Sequence, residues 1–151
     1  MLGSVTIVGL GPGSKELISP EVTKAIQSAT DIIGYEKYTN RIEKRKNLTI
    51  HSSDNRHEIS RAKLAIDLAL QGKQTVIVSS GDPGIFAMSA AFFETLEKTS
   101  KNIQNIEIKV LPGISSMLAA SSKVGAPLGH DFCVINLSDN LKPWKLIQKR
   151  V

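Results

Sequence analysis

Residues 75–89 read TVIVSSGDPGIFAMS, and their reading decides the fold. A β-branched run ends in two serines, and Gly81, Asp82, Pro83 and Gly84 then break it before a helical pattern resumes near Ala87. A strand that is apolar at nearly every position belongs in a parallel sheet covered on both faces. The turn after such a strand sits at its carboxyl end, where open parallel sheets place their ligands. Gly81 and Gly84 permit close backbone approach, and Pro83 stiffens the turn. Asp82 puts a carboxylate at the rim, suited to an ammonium group or sugar hydroxyls and badly suited to phosphate. A plain Asp-Pro-Gly turn is the competing reading.

The same alternation extends in both directions. VTIVGL (5–10), DIIGY (31–35), LTIH (48–51), IEIKVL (106–111) and FCVINLS (132–138) read as further strands. Between them, Ser19 is placed to cap a helix that has Pro20 at its first position and Glu21 in its first turn. A second helix is expected from Asp54 to Leu70, where Ile59, Ala62, Ile66 and Ala69 recur at helical spacing and Gly72 takes the C′ position. Helices over Ala87 to Lys98 and from about Ser115 complete a β-α order. The expected fold is α/β, a mainly parallel five-stranded sheet with helices on both faces.

Two other glycine loops follow strands. VGLGPG (8–13) misses the dinucleotide fingerprint, because position 14 is Ser and Pro12 lacks an N–H for a pyrophosphate. LPGISSMLAA (111–120) brings Ser115 and Ser116 to a helix start, where hydroxyls cap the helix or meet a ligand.

The 151 residues fit one domain with a sizeable core, and 41% apolar with 22% charged residues argue against disorder. The net charge of +5 is spread out, densest in RIEKRK (41–46) and KLIQKR (145–150). With one Trp, two Tyr and four Phe beside it, this charge does not make a base-stacking surface, and no nucleic-acid partner is expected. An anionic small molecule is the better use for the charge. Cys133 is the single cysteine, so no intramolecular disulfide is possible and a reducing, cytoplasmic setting is expected. The first residues read as a strand, not a signal peptide, and no run approaches the ~20 apolar residues of a membrane span.

No nucleophile–base pair stands out. His51 and His57 are six apart, the wrong spacing for one helix face, so no metal site is expected. His130 and Asp131 fall just before an expected strand. Trp144, Ile147 and Val151 form an apolar stripe with little chain to pack against, which favours reading 1–131 as a first domain and 132–151 as the start of a truncated second one.

Taken together, VGLGPG, SSGDPGIFAMS and LPGISSMLAA stand in the order and spacing of the tetrapyrrole (corrin/porphyrin) methyltransferases, which the whole chain resembles. IGYEKY (33–38), RHEISRAKLAIDLALQGK (56–73) and GAPLGHDFCVINLSDNLKPW (125–144) narrow the likeness to one branch. That branch methylates carbon 17 of precorrin-3B, or of its cobalt form cobalt-factor III, with ring contraction in cobalamin biosynthesis. Asn136 departs from the Ser of that pattern.

The resemblance implies S-adenosyl-L-methionine as cofactor, a two-domain fold with the cofactor in the cleft between domains, and a homodimer. It assigns cofactor contacts to Leu10, Gly81, Asp82, Gly84, Ile85, Ser115 and Ser116, and a place beside the tetrapyrrole to Gly11, Pro12 and Gly13. Lys37, Arg41 and Arg56 become candidates for the substrate carboxylates, and His130 the candidate proton donor for contraction. The rivals are methylation at another position of a corrin precursor, a nicotinamide-dependent oxidoreductase, and a ligand-sensing domain without catalysis.

Overall fold

Along the first strand, β1 (Gly3–Gly9), Val5 and Ile7 point to one side of the sheet and Val8 to the other, and all three are fully buried. That alternation needs cover on both faces, and the computed structural model, which describes residues 2–137 and 143–149, supplies it. The strands β2 (Asp31–Tyr35), β3 (Thr49–Ser53), β4 (Gln74–Ser79) and β5 (Ile106–Leu111) join β1 in the order β3-β2-β4-β1-β5. Every pairing is parallel. The register sets Ile7 beside Ile77, and Ile77 beside Ile33, in one row on one face. Onto this row pack α3 (Glu58–Leu70) and α4 (Met88–Glu97), through Ala62, Ala65, Ile66 and Phe92. On the opposite face, α1 (Pro20–Ser28) brings Val22 against Val8, Ile32, Val76 and Val78. Each such buried aliphatic side chain contributes about 1.5–3 kcal/mol.

The local signals act as expected at most helix ends. Ser19 Oγ accepts from Val22 N at 3.2 Å and Pro20 opens α1. Gly72 N donates to Ala69 O at 2.9 Å just past α3.

The structure corrects three readings. The helix α3 begins at Glu58 and not at Asp54. The Asp54 carboxylate accepts from Asn55 N and its carbonyl from Arg61, so local bonds hold this stretch as a turn. Ile59 is 61% exposed, and the buried stripe of α3 runs instead through Arg61, Ala62, Ala65, Ile66 and Ala69. Residues 132–137 form no strand and pair with none among the described residues, because a strand exists only where a neighbour completes its hydrogen bonds. Ser138 and Val151 lie outside the described residues. A short helix after β2, α2 (Glu36–Thr39), was not foreseen; α5 (Ser116–Val124) and α6 (Trp144–Gln148) are the last helices among the described residues. In α6, Ile147 is buried while Trp144 is 63% exposed. Among the described residues no helix is long and apolar enough to cross a membrane.

Candidate functional site

The loops that leave β4, β1 and β5 emerge side by side, because these strands are neighbours in the sheet. Their main chains touch. A Cβ on Gly9 would lie 2.3 Å from the Gly81 carbonyl oxygen, and one on Gly113 would lie 2.2 Å from the same atom. Only glycine fits there. The first loop then turns back and pairs with the second: Gly81 N donates to Gly11 O at 2.9 Å, and Gly11 N to Gly81 O at 3.2 Å. Both residues have positive φ, 66° at Gly11 and 57° at Gly81, which explains the residue type at each.

Asp82 ties the second loop to the third. Its Oδ1 accepts from Gly84 N at 2.8 Å and its Oδ2 from Gly113 N at 3.0 Å. The carboxylate that the sequence suggested for a ligand thus holds loop amides, each oxygen keeping a further lone pair. Arg41 holds the first loop in the same manner, with Nη2 donating to Leu10 O at 3.1 Å and to Gly13 O at 2.9 Å. Leu10 is fully buried and its N–H donates to Ser79 O at 2.8 Å. A dinucleotide cradle is thereby excluded. The Gly11 amide is engaged, Pro12 has none, and only a 3₁₀ turn at Lys15–Leu17 follows.

These loops border a cleft of about 730 Å³, the size of a small-molecule site. The structure brings Gly81, Asp82, Ile85, Ser115 and Ser116 together on its wall. Leu10, Gly11, Pro12, Gly13 and Gly84 stand behind or beside that wall and do not line it. His130 is exposed on the segment after α5 and also lies outside the lining. Ser115 precedes α5 without capping it through its side chain. It is 4% exposed, and its Oγ has no hydrogen-bond partner among the described residues. A buried hydroxyl left unpaired costs stability unless a ligand atom meets it.

The β2–β3 side of the cleft was not anticipated. Tyr35, Tyr38, Asn55, Glu58 and Arg61 line it, with the two tyrosines edge to face at 5.2 Å. Arg61 is buried, and burial lowers its guanidinium pKa while Glu58, Tyr38 and Asp54 pull the other way. A signal for it existed in the sequence: a charged residue on the apolar stripe of a helix is out of place unless it has work there. Phe86, also in the lining, takes φ 51°, a region that bulky residues enter only where their surroundings impose it. Of the other basic candidates, Lys37 lies 6.0 Å from the Tyr35 ring centre and Arg56 is exposed.

Among the described residues no three His, Cys, Asp or Glu side chains gather as a metal site. His51 Nε2 instead meets Asp31 Oδ1 at 2.8 Å, and Asp31 opens β2 at the sheet edge away from the cleft.

A parallel α/β sheet with a ligand cleft walled by main-chain loops at its carboxyl edge defines a small-molecule-binding domain of the doubly wound kind. The comparisons narrow this class. The model of the Tetrapyrrole (Corrin/Porphyrin) Methylases matches residues 4–151, and the chain belongs to that family. It is 44% identical over 151 residues to a precorrin-3B C(17)-methyltransferase of Sinorhizobium sp, covering all of this chain and 59% of the relative. It is 38% identical over 148 residues to a probable cobalt-factor III C(17)-methyltransferase of Salmonella typhimurium, covering 97% of this chain and 60% of that protein. The crystal structure of the methyltransferase CobJ superposes with a TM-score of 0.92 at 55% identity, over 98% of this chain and 62% of the other. The chain therefore spans about three fifths of the length of these relatives.

Proposed function

We propose that the protein is a methyltransferase that carries a methyl group from S-adenosyl-L-methionine to carbon 17 of precorrin-3B or cobalt-factor III in cobalamin biosynthesis. Residues 1–131 are then the N-terminal domain of the enzyme and 132–151 the beginning of its second. The reading extends to a homodimer in the cytoplasm, as the family resemblance implies. The names of the relatives support the substrate, and the unpaired Ser115 hydroxyl in the cleft is the observation that carries the site.

When bound, S-adenosyl-L-methionine would supply a methyl group on a sulfonium, open to attack by a carbon nucleophile of the macrocycle, with the carbon–sulfur bond breaking and S-adenosylhomocysteine leaving as the neutral thioether. That chemistry needs no nucleophile or base from the protein at the reacting carbon, and the residues present fit such a division of labour. The wall from Gly81 to Ile85, with Ser115 and Ser116, offers main-chain groups, the exposed Ser116 hydroxyl, the buried Ser115 hydroxyl without a partner among the described residues, and the half-open Ile85 side chain. Asp82 keeps that wall fixed by holding Gly84 and Gly113. Orientation of two bound partners is worth up to about 7–11 kcal/mol of barrier, so a rigid wall is a direct contribution to rate. His130 stands as the proton donor for ring contraction in this reading, reached only if its segment moves to the substrate.

The test is transfer of labelled methyl from S-adenosyl-L-methionine by the full-length protein, offered precorrin-3B and cobalt-factor III separately. Label is expected at carbon 17 of one of them. Label at another ring position overturns the assigned position, and no label in either overturns the activity.

A further inference from the structure

Arg61 carries a buried positive charge whose acceptors are all neutral. Its Nε donates to Ser53 Oγ at 2.8 Å, Nη2 to the Asp54 carbonyl, and Nη1 makes a 3.8 Å contact with Met88 Sδ. No carboxylate among the described residues lies within ion-pair distance of it. A guanidinium has five N–H donors, so these contacts leave donors over, and the nearby Glu58 and Asp54 offset the charge only from beyond ion-pair distance. A buried cation is costly without a counter-charge, whereas a methionine or leucine would fill the same space on the α3 stripe at no such cost. The residue nevertheless lines the cleft, clamped at two nitrogens in a fixed orientation. A preoriented planar fork is the group that takes a carboxylate in two parallel hydrogen bonds.

We propose that Arg61 receives a side-chain carboxylate of the tetrapyrrole, on the β2–β3 side of the cleft, with β4 and β1 between it and the strand that leads to the serine loop. This rests on the methyltransferase reading for the identity of the substrate. Glu58, one turn earlier on α3, lines the same side and forms no ion pair with Arg61. Its carboxylate opposes an incoming anion, so this side admits a carboxylate only where Arg61 outweighs Glu58. The tyrosine pair beside them gives the macrocycle an aromatic edge to rest on.

The experiment is a fluorescence titration of uroporphyrin III, a polycarboxylate tetrapyrrole, into the full-length protein, with a parallel calorimetric titration of S-adenosylhomocysteine. Arg61→Met is expected to weaken porphyrin binding by about tenfold or more while S-adenosylhomocysteine affinity stays within about twofold. Arg61→Lys is expected to recover part of the loss, and Glu58→Gln to tighten porphyrin binding about two- to fivefold. Unchanged porphyrin affinity in Arg61→Met overturns the proposal. So does a loss confined to S-adenosylhomocysteine, which would give Arg61 to the cofactor carboxylate, and so does an equal loss of both ligands. Should Arg61→Met not fold, Arg61→Lys decides: porphyrin affinity equal to the wild type contradicts a bidentate role. Failure of the wild type to bind S-adenosylhomocysteine would count against the methyltransferase reading and leave the porphyrin comparison intact.

Discussion

On one wall of the cleft, Gly9, Gly81 and Gly113 press main chain against main chain, and Asp82 fastens the loops through their amides. On the other, Tyr35, Tyr38, Glu58 and Arg61 reach in from β2, α2 and α3 with side chains. A backbone wall tolerates no added atom at its contacts but presents the same groups to any ligand. A side-chain wall tolerates replacement structurally and sets which ligand is accepted. Substitutions at the main-chain contacts of the first wall should therefore cost stability and cofactor binding together, and those on the second should change ligand preference alone.

The sharpest way to break this contrast is Gly113→Ala. The new Cβ meets the Gly81 carbonyl, a backbone atom that cannot swing aside, so the loops must separate. A loss of about 3 kcal/mol in urea unfolding is expected, with S-adenosylhomocysteine binding abolished. Wild-type stability in this variant would show the loop contact to be looser than the structure has it. Next comes Asp82→Ala, which leaves the amides of Gly84 and Gly113 without acceptors and should cost about 2 kcal/mol. Asp82→Asn, keeping one acceptor oxygen, should cost about half of that.

Ser115→Ala sharpens the comparison further. Removing a buried hydroxyl that has no partner should leave the ligand-free protein as stable as before or slightly more so. S-adenosylhomocysteine affinity should nonetheless fall about fivefold, the worth of roughly 1 kcal/mol. A drop in melting temperature without a drop in affinity would make the hydroxyl structural. The smallest effect is expected at Ile59, which is 61% exposed; Ile59→Ser should change stability by less than about 0.5 kcal/mol, whereas Ile66→Ala on the same helix should cost roughly 3 kcal/mol.

The same division explains what could be read in the sequence. The backbone wall was legible because glycine marks positions where a Cβ is forbidden, and the glycine loops at the strand ends pointed to the parallel sheet and to the cleft at its carboxyl edge. Asp82 was visible as important, but whether its oxygens face a ligand or a neighbouring loop depends on Gly113, 31 residues later, and no local pattern reports that. Arg61 went unnoticed because the stripe of α3 was phased on Ile59. Ala62, Ile66 and Ala69 of that stripe are buried as expected, but the face turns just far enough to take in Arg61 and Ala65 and to leave Ile59 in solvent. Apolar runs such as 132–137 satisfy the pattern of a strand, yet pairing is a property of neighbours, and none lies beside this one among the described residues.

The most direct measurement is calorimetric titration of S-adenosylhomocysteine, and separately of NAD, into the full-length wild-type protein and its Asp82→Ala variant. Binding of S-adenosylhomocysteine alone, lost in the variant, is the expected result and places the cofactor on the glycine-loop wall. Binding of NAD without S-adenosylhomocysteine, or S-adenosylhomocysteine binding that survives Asp82→Ala undiminished, would contradict it.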